Sequence, residues 1–149
     1  MSKAGYPVWW NTTITLYNKY EDNQTNIITW YRTVLTDCFW KFTGDKVTVG
    51  SVELDSKSIV CRIPEDSRFL EKYLWVATPN DQMAQYFTLG HGDIIVRGEV
   101  TDVIDEYTSG KRSSDLLAKY KLQGCLTVDD FAISVGPGRN NPHYFARGL

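Results

Sequence analysis

The chain has 149 residues, of which 42% are hydrophobic and 23% are charged, which is typical of one compact domain. Its net charge of −2 argues against a surface devoted wholly to binding phosphate. The apolar runs are far shorter than the ~18 residues that cross a bilayer, so we expect no membrane partner. Residues 1–7 lack the apolar core of a secretory signal, which predicts that the chain stays in the cytosol where it is made.

The first forty residues predict β structure. Aromatic residues make up 13% of the chain, a composition that favours pleated surfaces. Residues 13–17 alternate apolar and threonine positions, as a half-buried strand does, and residues 18–26 are typical of a polar turn. Residues 27–40 form an extended segment too long for one flat strand, so we expect a bend or bulge near Thr36 and Asp37.

The middle of the chain is less regular. Residues 43–46 and 54–57 are interpreted as turns around a weak strand at 47–49, and residues 58–63 as a better strand that ends at Pro64. Residues 65–85 predict an excursion, either with a short strand at 73–77 or as a functional loop. The clearest hairpin is predicted over residues 86–100, with its turn at Gly90–Asp93.

The last third predicts one helix, one strand and a tail. Residues 113–121 combine a serine N-cap, an early acid and lysines in the last turn, which together predict a short helix. Residues 125–135 predict a strand interrupted by Asp129 and Asp130. Residues 136–149 have no period, so we expect an extended tail held from outside its own domain. The predicted fold is mainly β: a barrel or sandwich over residues 1–135, with an N-terminal arm at 1–11 and the tail at 136–149.

The inventory of chemical groups is poor in catalytic patterns. Nucleophile-elbow, zinc-protease, Cys-x-x-Cys and phosphate-loop motifs do not occur in the sequence. The three cysteines, Cys38, Cys61 and Cys125, are widely spaced in apolar stretches and are interpreted as reduced core thiols. We therefore expect no enzymatic activity, no metal and no cofactor. An unrecognised hydrolase that uses His91 and Asp93 is the alternative, and a metal held by the same pair is another.

Residues 99–106 carry four acids and no base. Such a run is most often a solvated strand end and loop, although carboxylates also bind divalent cations. A further interpretation is that these acids face a passage through which DNA moves, where repulsion keeps phosphates from adhering.

The aromatic residues suggest contacts with other molecules. Trp30, Tyr31, Phe39 and Trp40 allow an OB-like module that stacks single-stranded nucleic acid, but one core face and one subunit interface explain them equally well. The two ends of the chain are the best interface candidates, because little local structure is predicted to bury their aromatic rings.

Four segments carry a resemblance to a known group of proteins. They are residues 14–20, residues 30–35 together with Phe39 and Trp40, residues 87–98 and residues 136–144. Together they resemble small proteins encoded among the capsid and connector genes of tailed phages and prophages of Gram-positive bacteria. The similarity is greatest to head-closure, or stopper, proteins, which lie between the portal-adaptor ring and the tail.

The resemblance implies a structural virion protein of the neck, made in the bacterial cytoplasm. Such proteins are β-barrels that form homo-oligomeric rings, and we expect a twelvefold or sixfold ring here. The ring joins portal or adaptor to tail proteins. It helps to retain packaged double-stranded DNA, which it contacts non-specifically. A tail terminator or a minor capsid protein remains the alternative. The expected interface residues are Trp9, Trp10, Arg139, Tyr144, Phe145 and Arg147. The candidate channel element is either the loop of residues 65–85 or the stretch 99–112, whose candidate channel-facing residues are Glu99, Asp102, Asp105, Glu106, Lys111 and Arg112.

Overall fold

The computed structural model describes residues 3–49, 52–136, 138 and 140–149, with the backbone alone for 43–49 and 52–57. Six antiparallel strands close a barrel in the order β1-β2-β3-β6-β5-β4. The strands are β1 (Thr12–Glu21), β2 (Ile28–Val49), β3 (Val52–Pro64), β4 (Ile94–Arg97), β5 (Cys125–Ser134) and β6 (His143–Gly148). The connections hold helices α1 (Lys72–Val76) and α2 (Ser113–Lys119) and a 3-10 turn (Met83–Gln85). The predicted mainly β fold with a short helix near 113–121 is confirmed.

The inner faces of the strands form the main core. Ile14 and Leu16 on β1, Ile63 on β3 and Leu126 on β5 are buried together there, as the period of two along each strand requires. Cys38 and Cys61 lie in the same core, and a hydrogen bond with Cys61, together with burial, holds the pKa of the Cys38 thiol well above its ordinary range. The three cysteines are free thiols.

The predicted bend in the long second strand is confirmed. The pairing of β1 with β2 shifts register between Thr12 and Ile14, opposite Asp37, which has a positive φ of 60°. An extra residue at a bulge increases the local twist, and next to it β2 changes partner: it pairs with β1 up to Cys38 and with β3 from Phe39 onward. The acidic pair in β5 also marks a register shift, between Val128 and Asp130, where the sequence predicts an interruption.

Several predicted boundaries are wrong. Residues 43–46 and 54–57 are continuous strand in β2 and β3, and β1 continues to Glu21 through part of the predicted turn. Residues 65–85 contain α1 where a short strand is one of the predicted options. No membrane-spanning helix is found among the described residues.

The predicted hairpin over residues 86–100 does not form. β4 pairs with β1 and β5, whereas Phe87 makes only an isolated parallel bridge with Phe69. The physical reason is Asn18, which is buried on β1. Its amide donates to the Thr88 carbonyl at 2.7 Å and its oxygen accepts from the Thr88 N–H at 3.2 Å, so a side chain takes the place of a partner strand.

The predicted tail also needs correction. Residues 143–148 are extended, but they form β6, which lies between β3 and β5 and completes the barrel. The segment is therefore held by its own domain, and no division at residue 135 separates it from the barrel.

Candidate interaction surfaces

One side of the barrel is covered by its own chain. Residues 98–120 pack over the outer face of β1 and β4, where Tyr17, Val96, Ile104 and Leu116 form a second buried cluster. The Tyr17 hydroxyl donates to the Asp102 carbonyl at 2.7 Å, and burial raises the pKa of Tyr17 to about 12. This side offers little of its sheet to a partner.

The outer face of β2, β3, β6 and β5 is different, because its outward positions include basic and aromatic side chains and are all exposed or half-buried. Register places Phe39, Arg62 and Phe145 side by side on three adjacent strands. The Arg62 guanidinium lies 5.0 Å from the Phe39 ring and 5.6 Å from the Phe145 ring. We call this surface the arginine face; its outward positions are Phe39, Lys41, Val60, Arg62, Asp130, Ala132, Phe145 and Arg147.

The charge on the arginine face is mainly positive. Lys41 and Arg147 are exposed, and Asp130 is the single acid among the outward positions. Arg147 Nη2 lies 3.1 Å from Asp130 Oδ2 in an exposed ion pair, which contributes little stability. Arginine and aromatic side chains together are typical of protein and nucleic-acid interfaces.

Beyond the barrel, β2 and β3 continue as a two-stranded ribbon, defined here as residues 44–49 and 52–57. Within the described part of the chain, the register pairs these residues with one another and with no third strand. Six residues of strand extend about 20 Å. Register pairs Val47 with Leu54 and Val49 with Val52, whereas the intervening positions carry Lys46, Thr48, Glu53 and Asp55.

The ribbon therefore alternates apolar and polar pairs, the sequence pattern of a sheet with one apolar face. A two-stranded ribbon is marginally stable alone, and its open edges can accept another chain.

A third surface lies on α1. Its Trp75 is fully buried, with ring centroids 6.0 Å from Tyr20 and 5.5 Å from Tyr31, so the helix is fastened to β1 and the start of β2. The other apolar residues of α1 point outward: Tyr73, Leu74 and Val76 are 66%, 45% and 43% exposed. We call these three residues the α1 patch.

The predicted interface residues are divided by the structure. Trp9 is 64% exposed, and Phe145 and Arg147 lie on the arginine face. Trp10 is buried against Tyr6 and Phe39, which removes the expectation that a partner must cover it.

Tyr144 is also buried within its own chain. Its ring stacks on Phe69 at 3.8 Å, and its hydroxyl bonds to the backbone of Asp66. Arg139 lies outside the described residues.

The candidate channel-facing acids are mostly engaged in local structure. Asp102 accepts hydrogen bonds from Lys119 and Tyr120, which hold its pKa below the usual range. Asp105 accepts from the Tyr107 N–H and the Thr108 hydroxyl, and Glu106 accepts from the backbone and hydroxyl of Ser113. Glu99, Lys111 and Arg112 are exposed.

The structure does not bring together a hydrolase pair from His91 and Asp93. Asp93 is fully buried and accepts from Asn18, Lys19 and Gly90, whereas His91 is exposed with its ring 5.1 Å from that of Phe131. No hydrogen bond within the described part of the chain joins the two side chains. Nor do the described residues contain three or more histidine, cysteine or acidic side chains grouped to hold a metal ion.

The four aromatic residues considered for base stacking make contacts within the chain. Tyr31 packs edge-on against Trp75, and Phe39 lies between Trp10 and Arg62. Trp30 and Trp40 pack against the two buried clusters. A row of free stacking platforms is therefore not present at these positions.

Comparison with known proteins assigns a family. Residues 9–148 match the model of the DUF6751 family, described as a family of unknown function, and the chain belongs to it. No curated protein and no solved structure matches the chain.

Proposed function

We propose that this member of the DUF6751 family is a structural subunit of the head–tail connector of a tailed phage or prophage. It assembles as a ring that joins portal or adaptor to the tail and helps to retain packaged DNA. The observation that carries the proposal is the ribbon, which continues two strands of a closed barrel and pairs only with itself among the described residues. A closed barrel has no open edges, so the ribbon provides the open edges and the alternating apolar positions through which copies can associate.

Removing the ribbon tests this role directly. Replacing residues 44–57 with Asn-Gly connects Thr43 to Ser58, which are already opposite one another in the register, through a favoured two-residue turn. We expect this variant to keep the barrel but to lose association, since its open strand edges are gone. Sedimentation velocity of the purified chain at high concentration and imaging of assembled particles measure the outcome, with Leu122→Ser as a control at a fully exposed position away from the ribbon.

The outcomes separate the assignments. Density for this chain in a ring between portal and tail supports the proposed role, whereas density at the far end of the neck identifies a tail terminator, and density on the shell a minor capsid protein. A ribbon-less variant that assembles as the wild type does contradicts the proposed role of the ribbon.

The arginine face supports a second part of the proposal, the non-specific contact with duplex DNA. Lys41, Arg62 and Arg147 concentrate positive charge on one side of a chain whose net charge is −2. Contacts of basic side chains with phosphate are sequence-independent and weaken as salt rises. This assignment places the DNA contact on the arginine face and leaves the acids of residues 99–106 to their structural roles.

The double substitution Arg62→Glu with Arg147→Glu is expected to abolish most binding to a duplex oligonucleotide and to lower the salt slope by roughly two. Fluorescence polarisation at two salt concentrations measures this, with Lys121→Glu as the exposed control on the covered side. The OB-like alternative is favoured instead if a single-stranded oligonucleotide binds more tightly than the duplex and if its binding is lost only when Phe39 is substituted.

A further inference from the structure

We infer that the ribbon of one copy packs on the α1 patch of the next copy, so that the ring is built from one repeated head-to-tail contact. This inference rests on the proposed ring and adds the identity of the surface that receives the ribbon. It begins from two apolar features of the fold. One is the set of apolar positions in the register of the ribbon, Val47, Val49, Val52 and Leu54, and the other is the exposed α1 patch.

The two features lie at opposite ends of the same strand. Trp75 of α1 contacts Tyr31, near the start of β2, whereas Val47 lies near its end. Sixteen residues of strand separate Tyr31 from Val47, about 50 Å along the chain. Within the described part of the chain the ribbon is paired only with itself, and Tyr73, Leu74 and Val76 stay exposed, so a copy does not cover its own α1 patch with its own ribbon.

This separation determines the symmetry of the contact. Two different surfaces of one subunit form a heterologous contact, which propagates from copy to copy and closes into a ring when the rotation permits. A two-fold contact would instead bring the same surface of each copy together. The chemistry permits this contact, since the ribbon has an apolar sequence pattern and the α1 patch is an exposed apolar surface.

The size of the contact predicts how assembly behaves. A ribbon about 20 Å long and two strands wide covers roughly 200 Å² on one face, well below the ~800 Å² per partner of a stable interface. One contact is therefore weak. In a closed ring every copy makes two such contacts. The contact that closes the ring forms within one assembly, where the effective concentration of the partner surface is high. We expect association to be cooperative and strongly dependent on protein concentration.

The test introduces charge on each surface separately and then on both. Leu54→Lys changes the ribbon and Leu74→Glu changes the α1 patch, while Leu122→Glu is the control at an exposed position outside both surfaces. Sedimentation velocity from micromolar to millimolar protein measures association, and circular dichroism verifies that each variant is folded. Each single variant is expected to associate roughly a hundredfold more weakly, because it places an unpaired charge in an apolar contact.

Combining the changes makes the assignment specific. A chain that carries both Leu54→Lys and Leu74→Glu is expected to regain association, since the introduced lysine of one copy then meets the introduced glutamate of the next. Mixing the two single variants is expected to give complexes of two or more chains, because the Leu74→Glu copy keeps a native ribbon and the Leu54→Lys copy keeps a native patch.

Other results overturn the inference in distinguishable ways. If Leu54→Lys weakens association and Leu74→Glu does not, the ribbon has another receptor; the inference fails and the proposed ring stands. A closed dimer unaffected by Leu74→Glu indicates ribbon-to-ribbon pairing and also overturns it. A wild-type chain that stays monomeric over the whole range removes the self-assembling ring and the inference with it.

Discussion

Replacing Gly148 with alanine is expected to destabilise the protein by roughly 4 kcal/mol or to prevent folding. A β-carbon at this position would lie 1.8 Å from the carbonyl oxygen of Thr127, well inside any permitted contact. The obstacle is backbone of the neighbouring strand β5, which is paired with β4 and donates from the Thr127 N–H to the Leu149 carbonyl at 3.0 Å. β6 would have to separate from β5, and the barrel would open.

Urea unfolding followed by tryptophan fluorescence measures this loss, since the chain contains five tryptophans. Gly90→Ala is the matched control, because a β-carbon there meets only the flexible Lys72 side chain, at an ordinary 3.5 Å. We expect the control to change stability by less than about 1 kcal/mol. Equal stability of the two variants would mean that β6 is not seated against β5 as described.

Features that arise from local chemistry could be predicted from the sequence. The bulge at Asp37 and the register shift beside Asp130 both occur where an acid interrupts an otherwise apolar, alternating run. The end of β3 at Pro64 follows from the missing N–H of proline. The short helix α2 lies within the predicted segment, but the predicted serine N-cap is wrong: Ser113 is the first helical residue and Arg112 is the N-cap, whose N–H donates to the Asp115 carboxylate at 3.1 Å.

The ribbon is not among the predicted elements, although the sequence contains a signal for it. Gly50-Ser51 is a two-residue pair between two runs of alternating residues, which is typical of a hairpin. The glycine, aspartate and lysine residues of the flanking segments suggest turns on each side instead. They are instead paired along the backbone of the two strands, and the register places Lys46 directly opposite Asp55.

Burial of the two ends could not be deduced from local patterns. Tyr144 bonds to Asp66, 78 residues away, and Trp10 packs on Phe39 of β2 and His143 of β6. Such contacts depend on the strand order of the closed barrel, which single segments do not encode. The arginine face has the same origin: Arg62 and Phe145 become neighbours only because β6 pairs with β3.

Replacing Asp93 with alanine is expected to destabilise the fold by roughly 3 kcal/mol, because it leaves buried donors without an acceptor. Its carboxylate accepts from the Lys19 N–H at 3.0 Å, the Asn18 amide at 2.9 Å and the Gly90 N–H at 2.9 Å. These bonds join the turn before β4 to β1. Asp93→Asn is the matched control. It preserves the side-chain volume but turns the amide NH2 group toward one of the donors, so we expect a loss of stability smaller than that of Asp93→Ala.

The pH dependence of this loss has a definite sign. Burial raises the pKa of Asp93 above its ordinary value of 3.8, so the folded chain binds this proton more readily than the unfolded chain. The contribution of Asp93 is therefore greatest below pH 3.8 and declines as pH rises through the folded pKa. Urea unfolding of wild type and Asp93→Ala over a pH series measures the difference in their free energies of unfolding. A difference that grows with rising pH would show that the hydrogen bonds to the carboxylate outweigh its desolvation.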